Sequence, residues 1–193
     1  MLSKNNLKLV TNFFLGNTKC FDKKDDEYKN LLLTYATDNN SSTLRELATM
    51  NYLKYKSFTE KLGPDGIDLE TGVFKEVKPK TIKNDKKSGG SGNFNDMTLE
   101  LLEKKKDYDI ICSLFKNSRF VYIVEFPMSS IYEKLKQPIL KAKTGKRVVC
   151  NFSYKDYDPD VLKVHYLNKE LIHNSVSKKH AKLLIEIYDN KGE

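Results

Sequence analysis

Gly63-Pro64-Asp65-Gly66-Ile67-Asp68-Leu69-Glu70-Thr71-Gly72-Val73-Phe74-Lys75-Glu76-Val77-Lys78-Pro79 is the stretch on which the fold turns. Before it, apolar residues recur at helical spacing, and within it the period drops to two. Leu69–Gly72 reads as the turn of a β-hairpin with Gly72 at the positive-φ position. Pairing Asp68 with Val73 sets Asp65 opposite Glu76, at a Cβ separation of about 5 Å. Glu76 and Lys78 share one strand face by the period of two, whereas Asp68, nearer the turn, faces away. Pro79 is expected to end the second strand.

Working outward, Thr43 and Glu46 form a capping-box pattern that opens a helical stripe through Leu44, Leu47, Ala48, Tyr55, Phe58 and Leu62. The same residues, 43–62, also allow a helix-turn-helix with helices over 44–50 and 54–61. A short helix is expected over 25–35, and residues 1–42 stand as an N-terminal extension or as a DNA-binding or dimerisation arm. Downstream, residues 80–95 read as a polar loop with a Ser/Gly tip at 88–92. Asp96 or Thr98 then caps a helix to residue 106. Strong β runs follow at 108–115 and 120–126, with further strands at 147–152 and 161–167. Helices are expected at 129–137, broken by Pro138, and at 177–188. This order predicts one α/β domain (an α+β mixed sheet) over 1–193, with a central sheet of about five strands flanked by helices.

The chain of 193 residues is 39% apolar and 31% charged, a globular rather than disordered mixture. No run approaches the ~18 apolar residues of a membrane span, and the N-terminal residues lack a signal-peptide core. Cys20, Cys112 and Cys150 form no CxxC pattern, which predicts a reduced, cytoplasmic protein without a zinc ribbon. The net charge of +8 is almost all lysine, since only Arg45, Arg119 and Arg147 are arginines. Such an excess points to a polyanionic partner. GxGxxG, the P-loop, GxSxG and HExxH are all missing. The three histidines read as surface or satisfied residues, Cys112 as core, and Glu125 as an edge charge before Pro127.

Two carboxylates and a lysine suit phosphodiester hydrolysis. A divalent ion held by hard oxygen ligands polarises the phosphate and acidifies a water, and a neighbouring ammonium orients that water. Pro64-Asp65 followed by Glu76-Val77-Lys78 resembles the signature of the PD-(D/E)xK nucleases, the fold of many type II restriction enzymes, resolvases and some homing endonucleases. The (D/E)xK pattern recurs at Asp22, Glu27, Asp85, Glu103 and Asp189. Only Glu76 combines it with an upstream Pro-Asp, a register that aligns the acids, and the apolar neighbours Val73 and Val77.

The resemblance implies a restriction-endonuclease-like core and a Mg²⁺-dependent, site-specific endodeoxyribonuclease acting on double-stranded DNA, as in a restriction system. It implies Asp65 and Glu76 as metal ligands with the Val77 carbonyl, Lys78 as the water-positioning base, and Glu46 as the additional glutamate of the preceding helix. A homodimer cutting both strands fits the family habit. Lys80, Lys83, Lys86 and Lys87 are expected on the DNA backbone, and Asn93 and Asn95 on base edges. The rivals are a non-catalytic DNA-binding protein using 43–62 and an RNA-binding module with aromatic stacking platforms.

Overall fold

The computed structural model describes residues 4–17, 19, 42–58, 63–83, 86–142 and 146–190. In chain order these form α1 (Lys4–Phe14), α2 (Thr43–Tyr52), β1 (Lys56–Ser57), β2 (Gly66–Ile67), β3 (Phe74–Ile82), β4 (Gly92–Met97), α3 (Leu99–Lys104), β5 (Asp109–Lys116), β6 (Arg119–Pro127), α4 (Tyr132–Lys141), β7 (Val148–Phe152), β8 (Lys163–Leu167) and α5 (Lys178–Asp189). The helix expected over 25–35 and Cys20 lie outside the described residues. No helix among those described is long and apolar enough to cross a membrane.

A six-stranded mixed sheet, ordered β1-β2-β3-β5-β6-β8, carries the fold, and β4 with β7 makes a separate two-stranded ribbon. β3 and β5 run parallel while their other neighbours are antiparallel. The parallel pair needs a crossover, and β4 and α3 supply it. Both faces of the central strands are covered, which is why β5 and β6 read as almost continuous apolar runs. Ile110, Cys112, Leu114, Val124 and Phe126 enter one core with Leu102, Leu135 and Leu184 of α3, α4 and α5. Val77, Ile111, Phe115 and Ile123 enter the other with Val10 and Phe14 of α1 and Ala48 and Met50 of α2.

The α/β class and the hairpin register agree with the reading of the sequence: Gly66 pairs with Lys75 and Ile67 with Phe74, and Gly72 has φ +72°. Several details differ. The expected loop over 80–95 is shorter at both ends, because β3 runs to Ile82 and β4 begins at Gly92. Thr98, not Asp96, caps α3, its hydroxyl accepting from the Leu101 N–H at 3.2 Å. Asp96 instead sits in β4 at φ +53°, where the ribbon register shifts. Helix α4 continues past Pro138, held by Leu135, buried, and Ile139, packed against the same core. The second helix of the helix-turn-helix reading is not formed at its start: Lys54 adopts φ +62° and Lys56–Ser57 pairs with β2.

Glu125 is no edge charge. It is 1% exposed, and its carboxylate accepts from Lys75 Nζ at 2.7 Å and from the Tyr55 hydroxyl at 2.9 Å, and lies 2.7 Å from His165 Nε2. Lys75 Nζ also reaches Asp109 Oδ2 at 2.6 Å. Burial alone would raise the Glu125 carboxyl, but His165 and Lys75 outweigh it and hold it well below the usual range. These side chains come from β3, β5, β6 and β8, on the same side of the sheet as Val77 and Ile111, and Tyr55 covers them.

Candidate active site

The site is built on the edge of β3. The Asp65 N–H donates to the Lys75 carbonyl at 2.9 Å, and the Val77 N–H donates to Asp65 Oδ2 at 2.6 Å. Odd positions of β3 therefore turn their backbone groups toward β2, and the Val77 carbonyl leaves the strand on the Asp65 side. Among the described residues no strand pairs with β3 on that side beyond Lys75. Pro79 has the same parity, so its missing N–H falls on the open edge and the strand continues through it. Gly66 permits the close approach at this point: a Cβ there would lie 2.3 Å from the Lys56 carbonyl oxygen and 2.2 Å from the Met50 methyl carbon.

Even positions of β3 face the other way. Glu76, 7% exposed, is gripped by two ammonium groups, Lys78 Nζ on Oε1 at 2.7 Å and Lys105 Nζ on Oε2 at 2.5 Å. Burial would raise its carboxyl, yet Lys78 and Lys105 prevail and hold it below the ordinary range. The Lys78 ammonium also lies 4.4 Å from the centre of the Phe94 ring, a cation–π interaction that limits its freedom. Asp65 behaves oppositely. Burial, and then the charge of Glu76, push its carboxyl up to about 6, against the pull of the Val77 N–H, with Glu46 adding to the rise.

Glu46 lines a cleft of about 380 Å³ together with Val77, Lys78, Lys80, Asn93, Asn95 and Asn151. The capping box that would occupy Glu46 is not made: Ser42 is the N-cap residue and no side chain caps α2. Asp65 and Glu76 are bonded to two residues of the cleft wall, Val77 and Lys78. Lys80 bonds Ser91 at 2.6 Å and so ties β3 to the start of the ribbon. A second cleft of about 350 Å³ shares Ser42, Pro79 and Lys80 with the first and adds Arg45, Lys83 and Lys86. Lys87 points elsewhere, donating to the His173 carbonyl at 3.1 Å. Asp68 serves the turn, accepting from the Glu70 N–H and the Thr71 hydroxyl.

The donors are of the hard type that a divalent cation takes: the Asp65 carboxylate and the Val77 carbonyl at the open edge of β3, and the Glu76 carboxylate that Lys78 and Lys105 hold, with Asp65 raised by burial and then by Glu76. Among the described residues no three His, Cys, Asp or Glu side chains gather closely enough to form a ligand cage of their own. Glu46 acts on Asp65 through its charge.

Lys105 and Asn151 escape the reading of the sequence. Lys105 is the lysine of Glu103-Lys104-Lys105, one of the recurring (D/E)xK matches, and only the C-terminal end of α3 directs it onto Glu76. Asn151 reaches the cleft because β7 pairs with β4, placing it opposite Asn93. No protein-family model matches the chain, and no curated protein matches it significantly.

Proposed function

We propose that this protein is a metal-dependent endodeoxyribonuclease of the PD-(D/E)xK type, hydrolysing phosphodiester bonds of double-stranded DNA. The observation that carries the reading is the convergence of Asp65, Glu76 and Lys78 beside a lysine- and asparagine-lined cleft, with the Val77 carbonyl on the open strand edge. A helix, a three-strand antiparallel unit, a second helix and a parallel strand surround it in that order.

Asp65, Glu76 and the Val77 carbonyl would hold Mg²⁺, which supplies charge to the phosphate and lowers the pKa of a bound water. Lys78, steered by Glu76 and the Phe94 ring, orients the attacking water and offsets negative charge developing on the phosphorus oxygens. Lys105 keeps Glu76 ionised and in place. Lys80, Lys83 and Lys86 carry flanking phosphates along the two joined clefts. Double-strand cleavage then follows from a homodimer presenting two such sites. Cys112 and Cys150 are buried free thiols, which suits a reducing compartment such as the cytoplasm.

Supercoiled plasmid incubated with the protein tests this directly. Nicking or linearisation that requires Mg²⁺ and is lost in Asp65→Asn supports the enzyme. A gel shift without cleavage would instead favour a DNA-binding protein using the same clefts.

A further inference from the structure

The β4–β7 ribbon turns alternate residues to opposite sides. Phe94, Met97, Cys150 and Phe152 are buried in the core. Asn93, Asn95, Val149 and Asn151 are exposed on the other side, and the three asparagines line the cleft that contains Lys78 and Lys80. Asn93 and Asn151 are cross-strand partners, Asn93 Nδ2 donates to Asn95 Oδ1 at 2.9 Å, and Val149 is 54% exposed. The three amides and Val149 thus share one face of the ribbon. Its place beside the basic clefts makes duplex DNA its electrostatic complement.

Building on the nuclease reading, we infer that this ribbon enters the major groove and reads A·T pairs next to the cut phosphate. The major groove admits a two-stranded ribbon. An asparagine amide offers one donor and one acceptor, the match to adenine N6–H and N7, whereas guanine presents two acceptors there and is best met by arginine or lysine. Within β4 and β7 the exposed face contributes Asn93, Asn95 and Asn151 and neither of those cations, the exposed Lys146 and Arg147 lying just before β7. Val149 supplies the apolar surface that a thymine methyl group takes. The six residues of β4 extend roughly 20 Å, enough for about six base pairs at ~3.4 Å each. Lys80, bonded to Ser91 just before β4, keeps this reading face in register with the catalytic strand.

The test is selection of bound duplexes from a random-sequence library by the full chain in Ca²⁺, scored by sequencing, beside a separate Mg²⁺ cleavage assay. The selected sites should contain A·T pairs. Replacing their adenines with 7-deazaadenine, which lacks the N7 acceptor, should weaken binding about tenfold or more. Asn93→Ala, Asn95→Ala and Asn151→Ala should each lower affinity for the selected site toward that for a G·C duplex. Selection of G·C sites, no enrichment, or indifference to 7-deazaadenine overturns the inference even if the plasmid is cut. A·T selection without any cleavage upholds it and rejects the nuclease.

Discussion

Two charged clusters lie back to back on β3, one on each face of the sheet, and they use the same chemistry to different ends. Lys75, Asp109, Glu125, His165 and Tyr55 form a closed set in which Glu125 is 1% exposed and every charge has a partner. Glu76, Lys78, Lys105 and Asp65 are built from the same residue types one position along the strand. The second set stands against a cleft, and burial, followed by the charge of Glu76, pushes the Asp65 carboxyl within it up to about 6. A sealed ion cluster orders a core, while one that opens on a cleft is within reach of a ligand. Access separates the two, not composition.

The sharpest way to break this contrast is to mutate each side in turn. Glu76→Gln should reduce cleavage by at least about 10³-fold and cost less stability than the core variant that follows, because Lys78 and Lys105, which it leaves without their carboxylate, are both partly exposed. Lys75→Ala should strand Glu125 and Asp109 in the core and cost about 3–5 kcal/mol of stability, read from urea unfolding. A Lys75→Ala protein that is fully stable but inactive would exchange the roles of the two clusters.

His180 presents a third case, buried but neither partnered nor open to a cleft. It is 0% exposed, it stacks on Tyr154 at 4.5 Å, and among the described residues neither ring nitrogen finds a hydrogen-bond partner. Burial lowers its pKa to about 4. The unfolded chain therefore takes up a proton near pH 6.5 while the folded one does not, so the stability His180 allows is complete above about 6.5 and declines toward pH 4. The loss amounts to about 3 kcal/mol. Asp65, raised to about 6, contributes with the opposite sign over the same window. The readout is accordingly the stability difference between His180→Phe and the native chain at each pH, which should shift toward the variant as the pH falls. A pH-independent difference would mean that His180 takes up its proton in the fold as readily as in the unfolded chain.

On the active side, Lys78→Ala should lower turnover by roughly two orders of magnitude, with DNA affinity reduced by no more than the loss of one bound phosphate explains. Lys105→Ala is its matched partner, because both lysines hold Glu76 and the net charges are equal. Equal losses in turnover would assign Lys78 the supporting role of Lys105 and remove the water-positioning function. The smallest effects concern the outer lysines. Replacing Lys83 and Lys86 with Gln should flatten the log–log salt dependence of DNA binding by about 0.9 for each phosphate no longer neutralised. Lys87→Gln, turned toward His173, should leave it nearly unchanged, and the reverse pattern would move the DNA track to the other side of the molecule.

Residues 63–79 by themselves determined the hairpin, its register, and the placement of Asp65, Glu76 and Lys78, because turn chemistry and the two-residue period act over short distances. The mixed sheet and the terminal helix at Lys178–Asp189 were legible for the same reason. Long-range pairing decided the rest. Pro79 read as a strand end until the open side of β3 showed that no N–H was needed there. Thr43 and Glu46 matched a local cap, but α2 begins beside the cleft without one. Glu125 and Lys75 looked like ordinary charges; only the alignment of β3, β5, β6 and β8 closed them into one buried set. Lys105 and Asn151 are 29 and 75 residues from Glu76 in the chain, and only the packing of α3 and the pairing of β7 with β4 bring them to the site. Local patterns specify which way a side chain faces, but whether it meets a partner, a cleft or water depends on elements that sequence spacing does not connect.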